Sequence, residues 1–327
     1  MPLLFLRRKA LRHNLALANE LCRRTGAACM FVFKEAPLHA KLVSSLLEKS
    51  PVRRLGIVAW PGEAVSFPEG VSLHHVYAPS PQSTEQAAHC RCVYIDSLYA
   101  ATMLHAACRG PLPEVRISLE VGDLRDGVLP EELPALCEAV HRLGLPLRGL
   151  SVNFACLTSH APTTELLCFA ATQLESVRNL CVEGGDISAG GTDVLELAEK
   201  GPLPPGIGEI RCGTGVMLGV YPLSGRPLPG GRQDTFRLEA HVMECRVKNG
   251  RIMALLDVGS FHTAPEKLIP PLPGMAFCGA SSAYASFDVT DCPENIREGM
   301  SLSFGLEYHS LSRALISRAL PMISEDS

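Results

Sequence analysis

Several residues in this chain pair reactive chemistry with a place just after an apolar run. Lys34 closes CMFVF and precedes Glu-Ala-Pro. An amine there can form a Schiff base with a carbonyl, or it can simply cap a strand. Arg125 lies in the Gly-bounded loop VGDLRDG, where its guanidinium fork can clamp a carboxylate or pair with Asp123 or Asp126. Asn153 ends RGLSVN, and its amide suits either a cofactor ring oxygen or a strand-end hydrogen bond. The run Ser188-Ala-Gly190-Gly191-Thr192 precedes the helical pattern DVLELAEK. Backbone donors, a hydroxyl and a helix start together suit a phosphate, although a plain turn with Thr192 as helix cap fits the same residues. Arg211-Cys-Gly213-Thr214-Gly215 again sets backbone donors behind an arginine.

Residues at such ends need a scaffold that gathers them. Between about residues 28 and 219 short β-rich runs alternate with segments of helical period, the signature of βαβ units. Strands are predicted at 29–33, 55–60, 72–77, 93–95, 115–121 and 148–154, with weaker ones near 184–188 and 208–212. Helical spacing recurs at 38–48, 97–108, 131–143 and 164–178. Eight such strands predict an α/β fold, a (β/α)8 TIM-type barrel, whose chemistry gathers at the C-terminal strand ends. Residues 221–232, YPLSGRPLPGGR, read as a linker or crossover. Beyond them, segments 236–247, 251–258, 276–280, 284–289 and 301–307 alternate in the manner of a smaller C-terminal β domain. The division expected is residues 1–225 for the barrel and 226–327 for the β domain, with residues 2–6 free to pair with the latter.

Composition limits the partners. The 327 residues are 46% hydrophobic and 20% charged with a net charge of −4, enough apolar material for a large core and no basic surface for nucleic acid or anionic membrane. A small-molecule ligand is expected. The charges at Arg7, Arg8 and Lys9 interrupt any signal-peptide core, and 13 cysteines scattered in apolar surroundings suit reduced thiols, so the expected location is cytoplasmic. Cys90 and Cys92 form a close pair without further ligands nearby, and no metal is expected.

Taken together, KALRHNL, FVFKEAPLH, LEVGDLRDGV, SVNFAC with Pro162-Thr163, SAGGT, EIRCGTGVMLG, LDVG, GASS and FGLEY resemble the alanine racemase-like fold-type III enzymes of pyridoxal 5′-phosphate (PLP), and most of all their ornithine racemase branch. The resemblance spans about residues 10 to 310. It implies a homodimeric PLP-dependent amino acid racemase that interconverts enantiomers through an external aldimine. Lys34 resembles the Schiff-base lysine, Arg125 the arginine near the substrate carboxylate, and Asn153 the residue flanking the cofactor. Ser188, Gly190, Gly191 and Thr192, with Gly213 and Thr214, resemble the phosphate grip, and Arg211 the arginine facing the pyridine nitrogen. That last role has its own logic: an arginine does not surrender its proton, so the ring nitrogen it donates to stays unprotonated. This limits delocalisation into the ring and favours return of a proton to Cα.

The chain departs from the alanine racemases at two places. Leu38 stands where they carry a phosphate-binding tyrosine, and their second acid/base, a tyrosine from the partner subunit's small domain, has no matching motif. In GASSAYASFD, Ala283 replaces the acidic residue of the ornithine racemase pattern, which makes the adjacent Tyr284 the candidate, with His262 and Tyr308 as alternatives. A non-catalytic PLP-binding homologue is the rival reading. An aldolase or dehydratase of this fold would add a His-x-Cys metal pair after residue 230, and none occurs.

Overall fold

A computed structural model describes residues 1–60, 66–158 and 160–325, and divides them into two compact units. Of these described residues, those within 14–216 and 220–230 form one unit, and 1–13, 217–219 and 231–325 the other. The chain opens with β1 (Leu3–Leu6) and α1 (Arg8–Arg24), whose last turn is braced by Glu20 against Arg23 and Arg24.

The larger unit is built on a closed parallel barrel of eight strands. In chain order they are β2 (Ala28–Val32), β3 (Arg54–Ile57), β4 (Ser72–His75), β5 (Cys92–Ile95), β6 (Glu114–Leu119), β7 (Leu147–Val152), β8 (Cys181–Gly190) and β9 (Ile207–Cys212), each paired to the next, with β9 closing on β2. The intervening helices are α2 (Ala36–Glu48), α3 (Thr84–Ala87), α4 (Leu98–Ala107), α5 (Leu133–Arg142), α6 (Thr164–Val177) and α7 (Asp193–Ala198), with α8 (Thr214–Leu218) after the last strand. Local chemistry starts several of them. Ser97 caps α4 by accepting from the Ala100 N–H, Thr163 caps α6 through the Leu166 N–H, and Pro37 sits in the first turn of α2. A buried cluster of Met30, Val76, Cys92 and Tyr94 packs part of the core. The interior also carries charge: Arg116, almost fully buried, is paired with Asp186 at 2.5 Å.

Two expectations are corrected here. Of the two readings of residues 221–232, linker or crossover, the first fails, because residues 220–230 belong to the barrel unit. Val220 bridges to Pro227, Leu228 is buried, and the Tyr221 hydroxyl donates to Glu199 at 2.5 Å while Arg226 pairs with Glu196 and Glu199. The SAGG run is not all loop, because β8 extends through Gly190 and carries Ser188 into the barrel interior.

The second unit is an eight-stranded sheet. Its strands after β1 are β10 (Phe236–Lys248), β11 (Arg251–Leu256), β12 (Leu268–Ile269), β13 (Ala276–Ala280), β14 (Ala285–Asp288), β15 (Ser301–Leu306) and β16 (Met322–Ser324), joined by α9 (Tyr308–Ile316). The order runs β12-β15-β10-β11-β14-β13, and β1 pairs antiparallel with β10 and parallel with β16. Burial alternates along the first half of β10, as the period of two in its sequence requires. The N-terminal segment thus belongs to this sheet. No helix among the described residues is long and apolar enough to cross a membrane.

Candidate active site

The C-terminal ends of the barrel strands bring five chemical groups into one ring of neighbours. Lys34 follows β2, Arg211 lies near the end of β9, Gly190 ends β8 opposite it in register, Asn153 follows β7, and Arg125 stands in the loop after β6.

Arg211 is the centre of this arrangement. It is 6% exposed, and its four Nη hydrogens are matched to neutral oxygens. Nη1 donates to the Ser188 carbonyl at 2.9 Å and to the Ser188 hydroxyl at 3.0 Å, while Nη2 donates to the Val152 carbonyl at 2.8 Å and to Asn153 Oδ1 at 2.7 Å. Its Nε has no protein acceptor among the described residues. Arg211 does not pair with Glu209, which lies two residues earlier and is bonded instead to Arg54, Tyr94 and Ser188. Gly190 makes the close packing possible: a Cβ there would sit 2.2 Å from Arg211 Nη2 and 2.5 Å from Asn153 Oδ1.

On the other side of the ring, Tyr77 joins two of the expected residues. The Lys34 amine lies 5.6 Å from the centre of its ring and the Arg125 guanidinium 4.8 Å. Arg125 bonds Asp126 at 2.5 Å and the Cys156 sulfur at 2.9 Å, leaving Nη2 without a protein acceptor among the described residues. Asp123 fastens this loop to the one after β7, its Oδ1 accepting from the N–H groups of Cys156 and Leu157. Both loops carry a non-glycine residue in the left-handed region, Leu124 and Ala155, each with φ of 55°. Burial pushes the Cys156 thiol up against the opposing pull of Arg125.

The two glycine loops lie next to each other. Thr192, buried, accepts from the Gly215 N–H at 3.1 Å, and a Cβ on Gly215 would sit 2.4 Å from its methyl carbon. Gly191 has φ of +98°, and Gly213 approaches the Val32 carbonyl on β2, the strand that leads to Lys34. Ser188 stands apart from these loops. It is fully buried and its hydroxyl is given to Glu209 at 2.6 Å, so it does not share their surroundings as its place in SAGGT suggests.

The remaining candidates are placed as follows. Leu38 is 55% exposed and brings no polar group. Tyr284 ends the tight turn Ser281–Tyr284 between β13 and β14 and is 43% exposed, with no partner for its hydroxyl among the described residues. His262 accepts from the Gly259 N–H at 3.0 Å, and Tyr308 begins α9. Cys90 and Cys92 are buried and their thiols are pushed up to about 12, which suits core packing. Among the described residues the cysteines close enough to share an ion are Cys22, Cys29 and Cys212, all buried in the barrel unit. Sequence reasoning missed Tyr77, Tyr94 and Cys156. Tyr77 was open to discovery, since it ends the apolar run SLHHVY as Lys34 follows its own.

A closed parallel barrel followed by a second, largely antiparallel sheet is a fold that solved structures share. The structure of alanine racemase from Streptomyces lavendulae superposes with a TM-score of 0.73 at 15% identity, over 100% of this chain and 97% of that one. A family model described as the alanine racemase N-terminal domain matches residues 6–219, and the chain belongs to that family. Its curated relatives are racemases. Ornithine racemase of Acetoanaerobium sticklandii is 26% identical over 230 residues, 62% of this chain and 65% of that protein. Lysine racemase of Thermotoga maritima is 28% identical over 234 residues, 64% of this chain and 65% of that protein. The match therefore spans less than two thirds of each relative's length.

Proposed function

We propose that this chain binds PLP covalently through Lys34 and racemises a free amino acid. The observation that carries the reading is Arg211, a buried guanidinium with every Nη hydrogen spent on a neutral oxygen and its Nε left over. The residues present fit the cofactor. Gly190 lets Arg211 and Asn153 close together at the strand ends, where a Cβ would meet both, and Gly191-Thr192 and Gly213-Thr214 open the first turns of α7 and α8, where N–H groups lack intrahelical acceptors.

When bound, PLP supplies a conjugated ring that draws electrons from Cα of the attached amino acid. The protein's own groups do the rest. Lys34 holds the cofactor and moves a proton at Cα from one face. Arg211, unable to release its proton, keeps the pyridine nitrogen unprotonated and so limits side reactions away from Cα. Arg125 offers its Nη2 to the substrate carboxylate, held in place by Asp126, Cys156 and the Tyr77 ring. The Asn153 amide, fixed by Arg211, flanks the ring. Racemisation also needs a proton on the opposite face, and we assign it to Tyr284 of a homodimer partner, because an exposed hydroxyl without a partner is available to a second chain.

Borohydride reduction of cofactor-loaded protein followed by peptide mapping tests the assignment. The label is expected on Lys34. A label on Lys41, or on no lysine, contradicts it.

A further inference from the structure

We infer that Glu209 is a positioning residue for Arg211, with the Ser188 hydroxyl as the link between carboxylate and guanidinium; the inference rests on the function proposed above. Glu209 is fully buried at the centre of the barrel interior. Its Oε2 accepts from Arg54 at 2.7 Å, and its Oε1 accepts from the Ser188 hydroxyl at 2.6 Å and the Tyr94 hydroxyl at 3.0 Å. A serine hydroxyl has a single hydrogen. Once that hydrogen is given to Glu209, Ser188 can present only lone pairs to Arg211 Nη1, 3.0 Å away, while the single Tyr94 hydrogen is shared between Ser188 Oγ at 2.8 Å and Glu209 Oε1 at 3.0 Å. The carboxylate therefore decides which way the hydroxyl points. The hydroxyl in turn completes the set of acceptors that holds the guanidinium and leaves Nε over.

The charges around Glu209 support this arrangement. Burial alone would push its carboxyl up, but Arg116, His74 and Arg54 act the other way, and the net effect holds it well below the usual carboxylate range. His74 is itself pushed down to about 4 by burial and is neutral near pH 7, which leaves the two arginines as the lasting charges. Tyr94 is pushed up by burial and stays a neutral donor. Arg116 has Asp186 as its own partner. Arg211 has no carboxylate partner among the described residues, so Glu209, reached through one hydroxyl, is the anion bonded most directly to its surroundings.

The test uses PLP-loaded protein and follows the visible absorbance of the bound cofactor against pH, beside the melting temperature. Glu209→Gln removes a negative charge and supplies an amide that can donate to Ser188, which turns the hydroxyl. The cofactor should stay bound, and the absorbance titration should move to lower pH by about one unit, the size expected for a charge at this remove in a protein interior. Ser188→Ala cuts the link while Glu209 keeps Arg54 and Tyr94, and should move the titration the same way with little change in melting. Arg54→Gln is the structural control: it breaks the ion pair and should lower the melting temperature without moving the titration downward. If Glu209→Gln or Ser188→Ala binds PLP and titrates as wild type does, the inference is overturned. If wild-type protein gives no visible band with PLP, the proposed function itself fails and the inference falls with it.

Discussion

Arg211 shows how a single residue type can set a site's chemistry. Its burial costs free energy unless its donors are matched, and neutral acceptors on β8 and at the end of β7 take all four Nη hydrogens without a carboxylate. Gly190 is the condition for this packing, because any side chain there meets Arg211 and Asn153. Gly190→Ala should fold yet weaken PLP binding by at least about tenfold, roughly 1.4 kcal/mol. Absorbance titration measures this directly, and equal affinity would show that the close contact is dispensable. The positions of Lys34, Arg125, Asn153 and Arg211 were legible in the sequence because each sits at or just beyond the end of an apolar run. Ser188 was grouped with the SAGGT run although it also closes the strand predicted near 184–188, and the register shows β8 continuing past it through Gly190. Tyr94 was out of reach for a related reason: which way an aromatic within a strand faces depends on its neighbours across the sheet.

At the level of elements, all eight barrel strands fell where periodicity put them, with ends displaced by a few residues. Buried parallel strands are near-continuous apolar runs, and those are hard to miss. The segment 220–230 misled because Pro and Gly mark a change of direction, not separation from the core. What holds that segment is tertiary, the Tyr221–Glu199 bond and the Arg226 ion pairs, and no local pattern encodes it. Helix α9 carried its signal, Leu311, Ala314 and Leu315 at helical spacing, but it follows the last predicted strand in a domain read as β. Gly149 marks a further constraint. Its φ is +139°, and a Cβ would lie 2.0 Å from the Asp186 carbonyl on β8, at a register shift between the two strands. Gly149→Ala should cost about 3 kcal/mol or more in urea unfolding, combining strain with overpacking. A loss under about 1 kcal/mol would mean the strands can part there cheaply.

For the whole molecule, the buried polar interior ties stability to pH. His74 is held neutral, its value lowered by burial to about 4. The folded state therefore binds fewer protons than the unfolded state between that value and the usual 6.5. Its contribution is complete above pH 6.5 and is lost as pH falls towards 4, by on the order of 3 kcal/mol. Glu209, held well below the usual carboxylate range, contributes in full above the ordinary Glu value and loses that contribution as pH falls from there towards its own lowered value. Unfolding free energies across pH 4 to 7 should show this slope, and His74→Gln should flatten it; an unchanged slope in the variant would remove His74 as its source. The central claim, that this fold and this site amount to an amino acid racemase, is tested most directly by incubating PLP-loaded protein with a panel of L-amino acids, ornithine and lysine included, and resolving the products by chiral chromatography. A D-enantiomer is expected from at least one of them, absent with Lys34→Ala. PLP bound on Lys34 with no D-product from any amino acid would contradict it, and would make the chain a carrier of the cofactor in place of an enzyme.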